Sequence, residues 1–391
     1  MVYVGIDVAK EKHDCCVMGA DGVIIVSPFR IKNNIAGFDL LLQTITTAEK
    51  DLSKIKVGLE ATGHYGYNIV GFLLNSGLQT VVFNPLHTSL FRKSMSLRKT
   101  KTDKVDCKII AKMLLSNTDL KPYSMSLYHN EELKSLSRYR FNKIQERSKL
   151  KTSVTRLINI LFPELEDLVT NVHMNSVYAL LSEYPGASFV SEIHITKLTN
   201  ILLTASHGLY RKTKAMEIKE AARRSIGTAM PAKSLELKHT ITLIQHLNKE
   251  IDEVESCIKD IMNKIDSPMT TIPGISFRMA SMIIAEIGDF NKFDSSDKIL
   301  AFAGFSPSTY QSGKLDGAYA HIEKRGSPYL RYALYNAAKF VCKWEPVFGC
   351  YLEKKRAEGK HYNVAISHVV KKLVRVIYHL EKTGQNYTIA T

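Results

Sequence analysis

The chain has 391 residues, 45% hydrophobic and 23% charged, the balance of an ordinary globular protein with room for two or three domains. Lys and Arg outnumber Asp and Glu by 53 to 38, a formal net charge of +15 and a pI near 9.3, which favours nucleic acid or an anionic membrane surface as partner. No run of about 18 apolar residues is present to span a bilayer, and no signal peptide precedes the strand-like segment that starts at Val2. None of Cys15, Cys16, Cys107, Cys257, Cys342 and Cys350 forms a Cys-x-x-Cys pair, which speaks against a zinc site and for free thiols in a reducing cytosol.

In chain order, Val2 to Asp7 reads as a buried strand, and Asp14 to Met18 and Val23 to Pro28 as two more around the hairpin turn Ala20-Asp21-Gly22. Phe38, Leu41, Leu42 and Ile45 predict a helix over Asn34 to Lys50. Lys56 to Glu60 is the next strand, Tyr67 to Ser76 a helix, Thr80 to Phe83 a further strand, and helices follow near 87–96 and 103–116. Leu133, Leu136, Arg140, Lys143, Arg147, Leu150, Val154, Leu157 and Leu161 predict a long basic amphipathic helix ending before Phe162-Pro163. A second long helix, about 232–265, has a near-heptad register of Leu237, Ile241, Ile244, Leu247, Ile251, Val254, Ile258 and Ile265, and the two are expected to pair as an antiparallel coiled coil. Residues 165–230 between them read only as short helices and loops. Beyond Ser267-Pro268, Ile272-Pro273-Gly274-Ile275 leading into the helical run Phe277 to Ile287 resembles a helix-hairpin-helix element, whose turn offers backbone N–H groups to phosphate. The expected domains are 1–125, 126–266 and 267–391.

Four acids stand where an acid is locally unexpected. Asp7 and Glu60 each end an apolar run, and Asp103 and Asp106 lie three apart in a very basic stretch, so a helix there puts both on one face. Any one of them alone is more often a helix cap or turn former. Carboxylates from two strand ends and one helix face can converge. Two such charges at about 4 Å repel by roughly 4 kcal/mol at an effective dielectric of ~20, so converged acids call for a metal. Acids gathered for Mg²⁺ (or Mn²⁺) inside a basic protein suggest phosphodiester chemistry.

The order of three strands, helix, strand, helix, strand and helices resembles the ribonuclease-H-like fold. The motifs Gly-Ile-Asp-Val-Ala-Lys, Leu-Glu-Ala-Thr-Gly and Lys-Thr-Asp-Lys-Val-Asp are joined by Ile-Pro-Gly-Ile, Ala-Gly-Phe-Ser-Pro, Gln-Ser-Gly-Lys and Lys-Arg-Gly-Ser-Pro-Tyr-Leu-Arg. Together they resemble the DEDD-type transposases of the insertion sequence 110 family, related to Piv-type DNA invertases, over nearly the whole chain and least over 165–230. The resemblance implies an α/β domain similar to the Holliday-junction resolvase RuvC, followed by long coiled-coil helices and a mostly helical carboxyl-terminal transposase domain. It implies that Asp7, Glu60, Asp103 and Asp106 hold the metal and that Ser312 is a nucleophile attacking DNA phosphate. It also implies donor and target DNA as substrates, a structured guide RNA encoded in the element's flank, and a homodimer or homotetramer in a bacterial or archaeal cytoplasm, with no membrane partner.

Read without the resemblance, Ser312 is a loop serine bonding its own backbone; as a nucleophile it needs a base, a cation or a metal beside it. Lys314, Lys324, Arg325 and Arg331 are the nearby cations. Ser327, before a proline at a helix start, suits a cap. Arg98, Lys99, Lys101 and Lys104 flank the acids and read as phosphate contacts, and Arg138, Arg140, Lys143 and Arg147 on the long helix are equally open to that reading or to a solvated face. Gly274 marks the hairpin turn. His64 and His87 read as structural. Two rival functions remain open at this level: a RuvC-like structure-specific endonuclease using metal-activated water, and a non-catalytic nucleic-acid-binding protein.

Overall fold

The computed structural model describes residues 1–60, 63–95, 103–117, 120, 122, 125–306, 311–312, 315–316, 322 and 324–388; the side chains of 86, 103–104, 125–129, 311–312 and 315–316 are not among those described. The chain divides into two compact units, Met1–Glu132 and Leu133–Thr391.

In the first unit, β1 (Val2–Val8), β2 (Lys12–Gly19) and β3 (Ile24–Lys32) form an antiparallel meander, then come α1 (Ile35–Ala48), β4 (Ile55–Glu60), α2 (Tyr67–Asn75) and β5 (Gln79–Phe83). The sheet order is β3-β2-β1-β4-β5, with β4 parallel to both β1 and β5. This is the mixed five-stranded sheet expected of a ribonuclease-H-like domain. β3 runs on past Pro28, where the sequence suggested an end; as an edge strand it tolerates a residue that donates no ladder hydrogen bond. Two helices close the unit, α3 (Pro85–Met95) and α4 (Asp103–Ser116).

The two sheet faces are filled differently. Val2, Val4, Ile6 and Val8 of β1 and Ile55, Val57 and Leu59 of β4 pack with Phe38, Leu41 and Ile45 of α1 and Ile69 and Leu73 of α2. The alternate positions face α4. Gly5 and Gly58 are cross-strand partners on that face. A Cβ at Gly5 would strike the Cys107 carbonyl oxygen and the Ala111 nitrogen, and one at Gly58 would lie 2.9 Å from the Leu114 side chain and the Phe83 ring. α4 therefore rests directly on the sheet over a pair of glycines, with Ile109, Ile110, Met113 and Leu114 packed on Val81 and Phe83.

The second unit is helical. The long α5 (Met125–Leu161) begins before the boundary and leads to α6 (Leu165–Leu168), α7 (Asn175–Glu183), α8 (Ala187–Glu192), α9 (Ile195–Ala205), α10 (Lys212–Arg223) and the long α11 (Pro231–Ile265). Arg140 bonds Glu255, Lys143 bonds Glu250, Arg147 bonds Asn248 and Arg156 bonds Glu236, so partners descend α11 as they ascend α5: the helices run antiparallel. The apolar stripe of α11 is shared between two cores. Leu237, Ile241 and Ile244 join Val154, Leu157 and Leu161 over the short helices, whereas Ile258 and Met262 join Leu133 and the carboxyl-terminal helices.

Those are α12 (Phe277–Ile287), α13 (Ser296–Ala303), α14 (Pro328–Trp344), α15 (Pro346–Ala357) and α16 (Tyr362–Thr383), with a two-stranded hairpin of β6 (Gln311–Ser312) and β7 (Leu315–Asp316) before α14. Gly274 takes φ +94° and packs on the α14 backbone at Phe340 and Val341, a position closed to any side chain. Ahead of this turn stands a single 3₁₀ turn, Pro268–Thr271, in the place of the first helix of a full helix-hairpin-helix.

Gly5→Ala is expected to destabilise the first unit by about 1–3 kcal/mol, because backbone rather than a flexible side chain opposes the new Cβ. Urea unfolding followed by circular dichroism measures it; an unchanged midpoint would mean that α4 does not rest on this glycine.

Candidate active site

Asp7 and Glu60 stand at the carboxyl-terminal ends of neighbouring parallel strands. Ile6 pairs with Leu59, so the two acids occupy one level of the sheet, on the face that carries α4. Both are half-buried. α4 brings the other two: Asp103 opens the helix and Asp106 follows within its first turn, ahead of the Cys107 and Ala111 contacts with Gly5. The Asp103 side chain is outside the described residues. Asp106 is buried, with only 8% of its side chain exposed, and its Oδ1 lies 2.8 Å from Arg92 Nη2 in an ion pair. An opposite charge at that distance offsets the desolvation of a buried carboxylate.

α3 holds two of these acids from one helical face. Thr88 is buried and its Oγ1 lies 3.0 Å from Glu60 Oε2 and also 3.0 Å from the Pro85 carbonyl. Arg92, one turn on, holds Asp106. Thr88 was not singled out from the sequence; its spacing of four from Arg92, a cation of the basic stretch beside the acids, was the usable signal.

A fifth acid was missed. Asp14 is the direct cross-strand partner of Asp7, and Arg30 is the partner of Asp14 on β3. Arg30 Nη2 bonds Asp14 Oδ2 at 3.0 Å, with Nε at 3.2 Å from the same oxygen, and Asp14 is 3% exposed. Directly opposed residues share a face, so Asp14 lies beside Asp7 under α4, and its charge, after the hydrogen bond with Cys16 and burial, helps push the Cys107 thiol up. His13 is fully buried next to it, and burial holds its pKa below the usual histidine range. Among the described residues all six cysteines are free thiols.

Hard carboxylate oxygens are the donor set that Mg²⁺ and Mn²⁺ prefer. Among the described residues no group of three or more His, Cys, Asp and Glu side chains sits close enough together to hold a metal ion, a statement that leaves Asp103 out.

In the second unit, Ser312 lies in β6, paired with Leu315 of β7. Its side chain and all of Lys314 lie outside the described residues, as do Arg98, Lys99 and Lys101 and the side chain of Lys104. Lys324 and Arg325 are exposed, and Lys324 adopts φ +52°. Arg331 donates to the carbonyl of Ala303 at the end of α13 at 3.1 Å and to that of Gly326 at 3.4 Å. Gly304 and Gly326 fit against the backbone of Arg325 and Phe302, so Ala303-Gly304-Phe305 and Arg325-Gly326-Ser327 lie side by side. Ser327 is the expected cap, accepting from Leu330 N at 3.2 Å; its hydroxyl also donates to Glu286 at 2.6 Å.

The four cations of α5 singled out from the sequence are engaged. Arg138 forks onto Glu286 at 2.6 and 2.9 Å and stacks on Tyr329. Arg140 reaches Glu255 at 2.6 Å, a carboxylate shared with Arg278. Lys143 is 3.0 Å from Glu250, which raises its pKa to about 12, and Arg147 donates to Asn248 at 2.7 Å. Phe141 packs edge-on against Tyr329 and Tyr332, as a core residue does. Arg138→Ala is expected to destabilise the second unit by about 2–3 kcal/mol, since Glu286 is buried and keeps only its Ser327 partner, with a discount for the half-exposed arginine. Thermal unfolding reads this directly, and an unchanged midpoint would free Arg138 for a purely nucleic-acid role.

A family model described as a transposase matches residues 4–163, and a second, described as transposase IS116/IS110/IS902 family, matches 266–353. An uncharacterized 42 kDa protein of insertion element IS900 from Mycobacterium paratuberculosis is 22% identical, covering 100% of this chain and 98% of its own length. The pilin gene-inverting protein of Moraxella bovis is 23% identical, covering 96% and 94%. Among solved structures, T. thermophilus RuvC in complex with a Holliday junction substrate aligns over 32% of this chain and 100% of its own at 10% identity, with a TM-score of 0.24. Among the described residues no helix is long and apolar enough to cross a membrane. Two models of one family across both units, and relatives aligned end to end, place the chain plainly: it belongs to the insertion sequence 110 family and is a DNA transposase.

Proposed function

We propose that this transposase cuts and rejoins DNA with a metal-binding acidic tetrad, Asp7, Glu60, Asp103 and Asp106, and a serine nucleophile, Ser312, directed by a structured non-coding RNA. The observation that carries the reading is the seat of α4. The Gly5–Gly58 pair lets the helix lie on the same sheet face that bears Asp7 and Glu60, with Asp103 and Asp106 in its first turn.

In this reading the carboxylates hold Mg²⁺ or Mn²⁺, which when bound supplies charge neutralisation at the scissile phosphate. Thr88 and Arg92 keep Glu60 and Asp106 in place. Ser312 Oγ attacks phosphorus: an Oγ–P bond forms, one phosphorus–oxygen bond to a deoxyribose breaks, the serine proton is lost and the departing sugar hydroxyl gains one. Attack by the exchanged strand's hydroxyl reverses the step and reseals the backbone without external energy. Exposed Lys324 and Arg325, with Lys314, hold the phosphate near the serine hairpin. Arg331 keeps the two glycine-bearing segments together. Bringing a serine from one unit to acids of the other is met by a dimer or tetramer organised through α5 and α11 as a coiled coil.

Ser312→Ala is expected to abolish the covalent protein–DNA adduct seen on denaturing gels while leaving DNA binding within about twofold. Strand cleavage that continues unchanged in that variant would replace the serine with metal-activated water and make the protein an endonuclease. Asp7→Asn is expected to abolish recombination in a plasmid assay; full activity there would leave the tetrad without a catalytic role.

A further inference from the structure

A cleft of about 800 Å³ lies along α5, with His173 of the following segment on its wall. Its floor is one helical stripe: Ser148, Lys151, Thr152, Thr155, Arg156 and Asn159, at steps of three and one. The opposite face of the same helical segment, with Val154, Leu157, Ile158 and Leu161, is buried in the core with α7 to α11. The stripe spans about 16 Å at 1.5 Å per residue, a track for several nucleotides rather than a seat for one phosphate.

Among the described residues no Asp or Glu lines this cleft. Lys151 forms no ion pair among the described residues; burial first, then neighbouring Arg147, holds its pKa below the usual lysine range. An anion placed there relieves both. Arg156 pairs with Glu236 at 2.8 Å, but both side chains are well exposed, and a solvated pair of this kind is worth about 0–1 kcal/mol and exchanges readily. His173 on the cleft wall lies 3.0 Å from the Tyr178 hydroxyl and 3.4 Å from Thr155 Oγ1, and burial first, then Lys151, holds its pKa below the usual histidine range.

The hydroxyls narrow the ligand further. Thr152 donates to the Ser148 carbonyl at 3.2 Å and Thr155 to the Lys151 carbonyl at 3.3 Å. Their hydrogens are spent inside the helix, so what they offer to the cleft is lone pairs. A phosphodiester has no hydrogen to give them, and neither does deoxyribose. A ribose 2′-hydroxyl does.

We propose that this stripe is a binding track for the ribose-phosphate backbone of RNA, in which Lys151 and Arg156 take phosphates and the outward oxygen of Thr152 accepts a 2′-hydroxyl. The proposal rests on the RNA-directed reading above and gives that RNA a site in the second unit, apart from the tetrad and from Ser312.

The test uses the full chain with a fluorescent oligouridylate and the matching oligodeoxyuridylate, titrated by anisotropy across salt concentrations. Lys151→Gln is expected to weaken RNA binding and to lower the slope of log affinity against log salt by about 0.7, one phosphate contact on a single strand. Thr152→Val is expected to weaken RNA binding about three- to tenfold with the salt slope and the DNA affinity unchanged, and Thr152→Ser to restore it. Both positions are on the solvent side of α5, and an unchanged unfolding midpoint for each variant ties the loss to contact rather than to folding. Wild-type RNA affinity and slope in Lys151→Gln overturn the site while leaving RNA direction standing. Equal losses on RNA and DNA overturn the assignment to ribose. A wild-type chain that binds DNA but no RNA overturns both this site and RNA direction, and the Ser312 adduct remains to be judged by its own gel.

Discussion

The first unit depends on one close approach, that of α4 to the sheet at Gly5 and Gly58. These glycines are register partners on adjacent parallel strands, so the missing side chains form a single hollow. A helix laid in that hollow is fixed along its axis by backbone-to-backbone contact at Cys107 and Ala111, and around its axis by Ile110 and Leu114 packing on Val81 and Phe83. Its amino-terminal turn is then carried toward the strand ends where Asp7 and Glu60 stand. Two residues with no side chain at all govern where two acids forty residues and more downstream come to lie. A bulkier residue at either position would lift the helix by the thickness of a methyl group, and the acids of the proposed metal site would tolerate a displacement of that size poorly.

The net charge of +15 is distributed by similarly local rules. Along α5 the cations from Arg138 to Arg147 are matched one by one to groups on α11 and α12, because the antiparallel run of the two helices brings Glu255, Glu250 and Asn248 into step with them. These pairs fix helix register more than they add stability. Directly beyond, from Ser148 to Asn159, the same helix presents hydroxyls and cations to a cleft with no acid in its lining among the described residues. A basic helix is therefore not a uniform basic surface. Which of its charges are available to a ligand is decided by the neighbouring helix.

Much of the first unit was legible in the sequence because its signals are local. Alternation and apolar runs mark the strands, Asp21-Gly22 marks the hairpin, and an acid at the end of an apolar run marks Asp7 and Glu60. Asp14, Arg30 and Thr88 escaped because their significance is relational. Asp14 matters through pairing with Asp7 across β1 and β2, and Arg30 through pairing with Asp14 across β2 and β3, and a register becomes visible only when the hairpin has closed. The long helices were legible from periodicity, but the heptad-like stripe of α11 does not reveal that its two halves belong to different cores. Residues 165–230 resisted for a further reason: α6 to α10 are four to twelve residues long, too short for periodicity to separate a buried helix from a buried loop.

α3 ties these levels together. It contributes nothing to the sheet, yet its Thr88 and Arg92, one turn apart, reach acids from two different elements, Glu60 at the end of β4 and Asp106 on α4. Each contact answers a distinct problem. The hydroxyl gives Glu60 a neutral donor that fixes its orientation without spending its charge. The guanidinium gives Asp106 a counter-charge, which a nearly enclosed carboxylate requires. The asymmetry has a consequence for any cation drawn to these acids. At Asp106 such a cation competes with Arg92 for the same oxygen. A shift of α3 that withdrew Arg92 would increase the negative charge facing the strand ends, and one that advanced it would reduce that charge. The position of this one helix thus sets how much of the Asp106 charge is compensated at the acidic site.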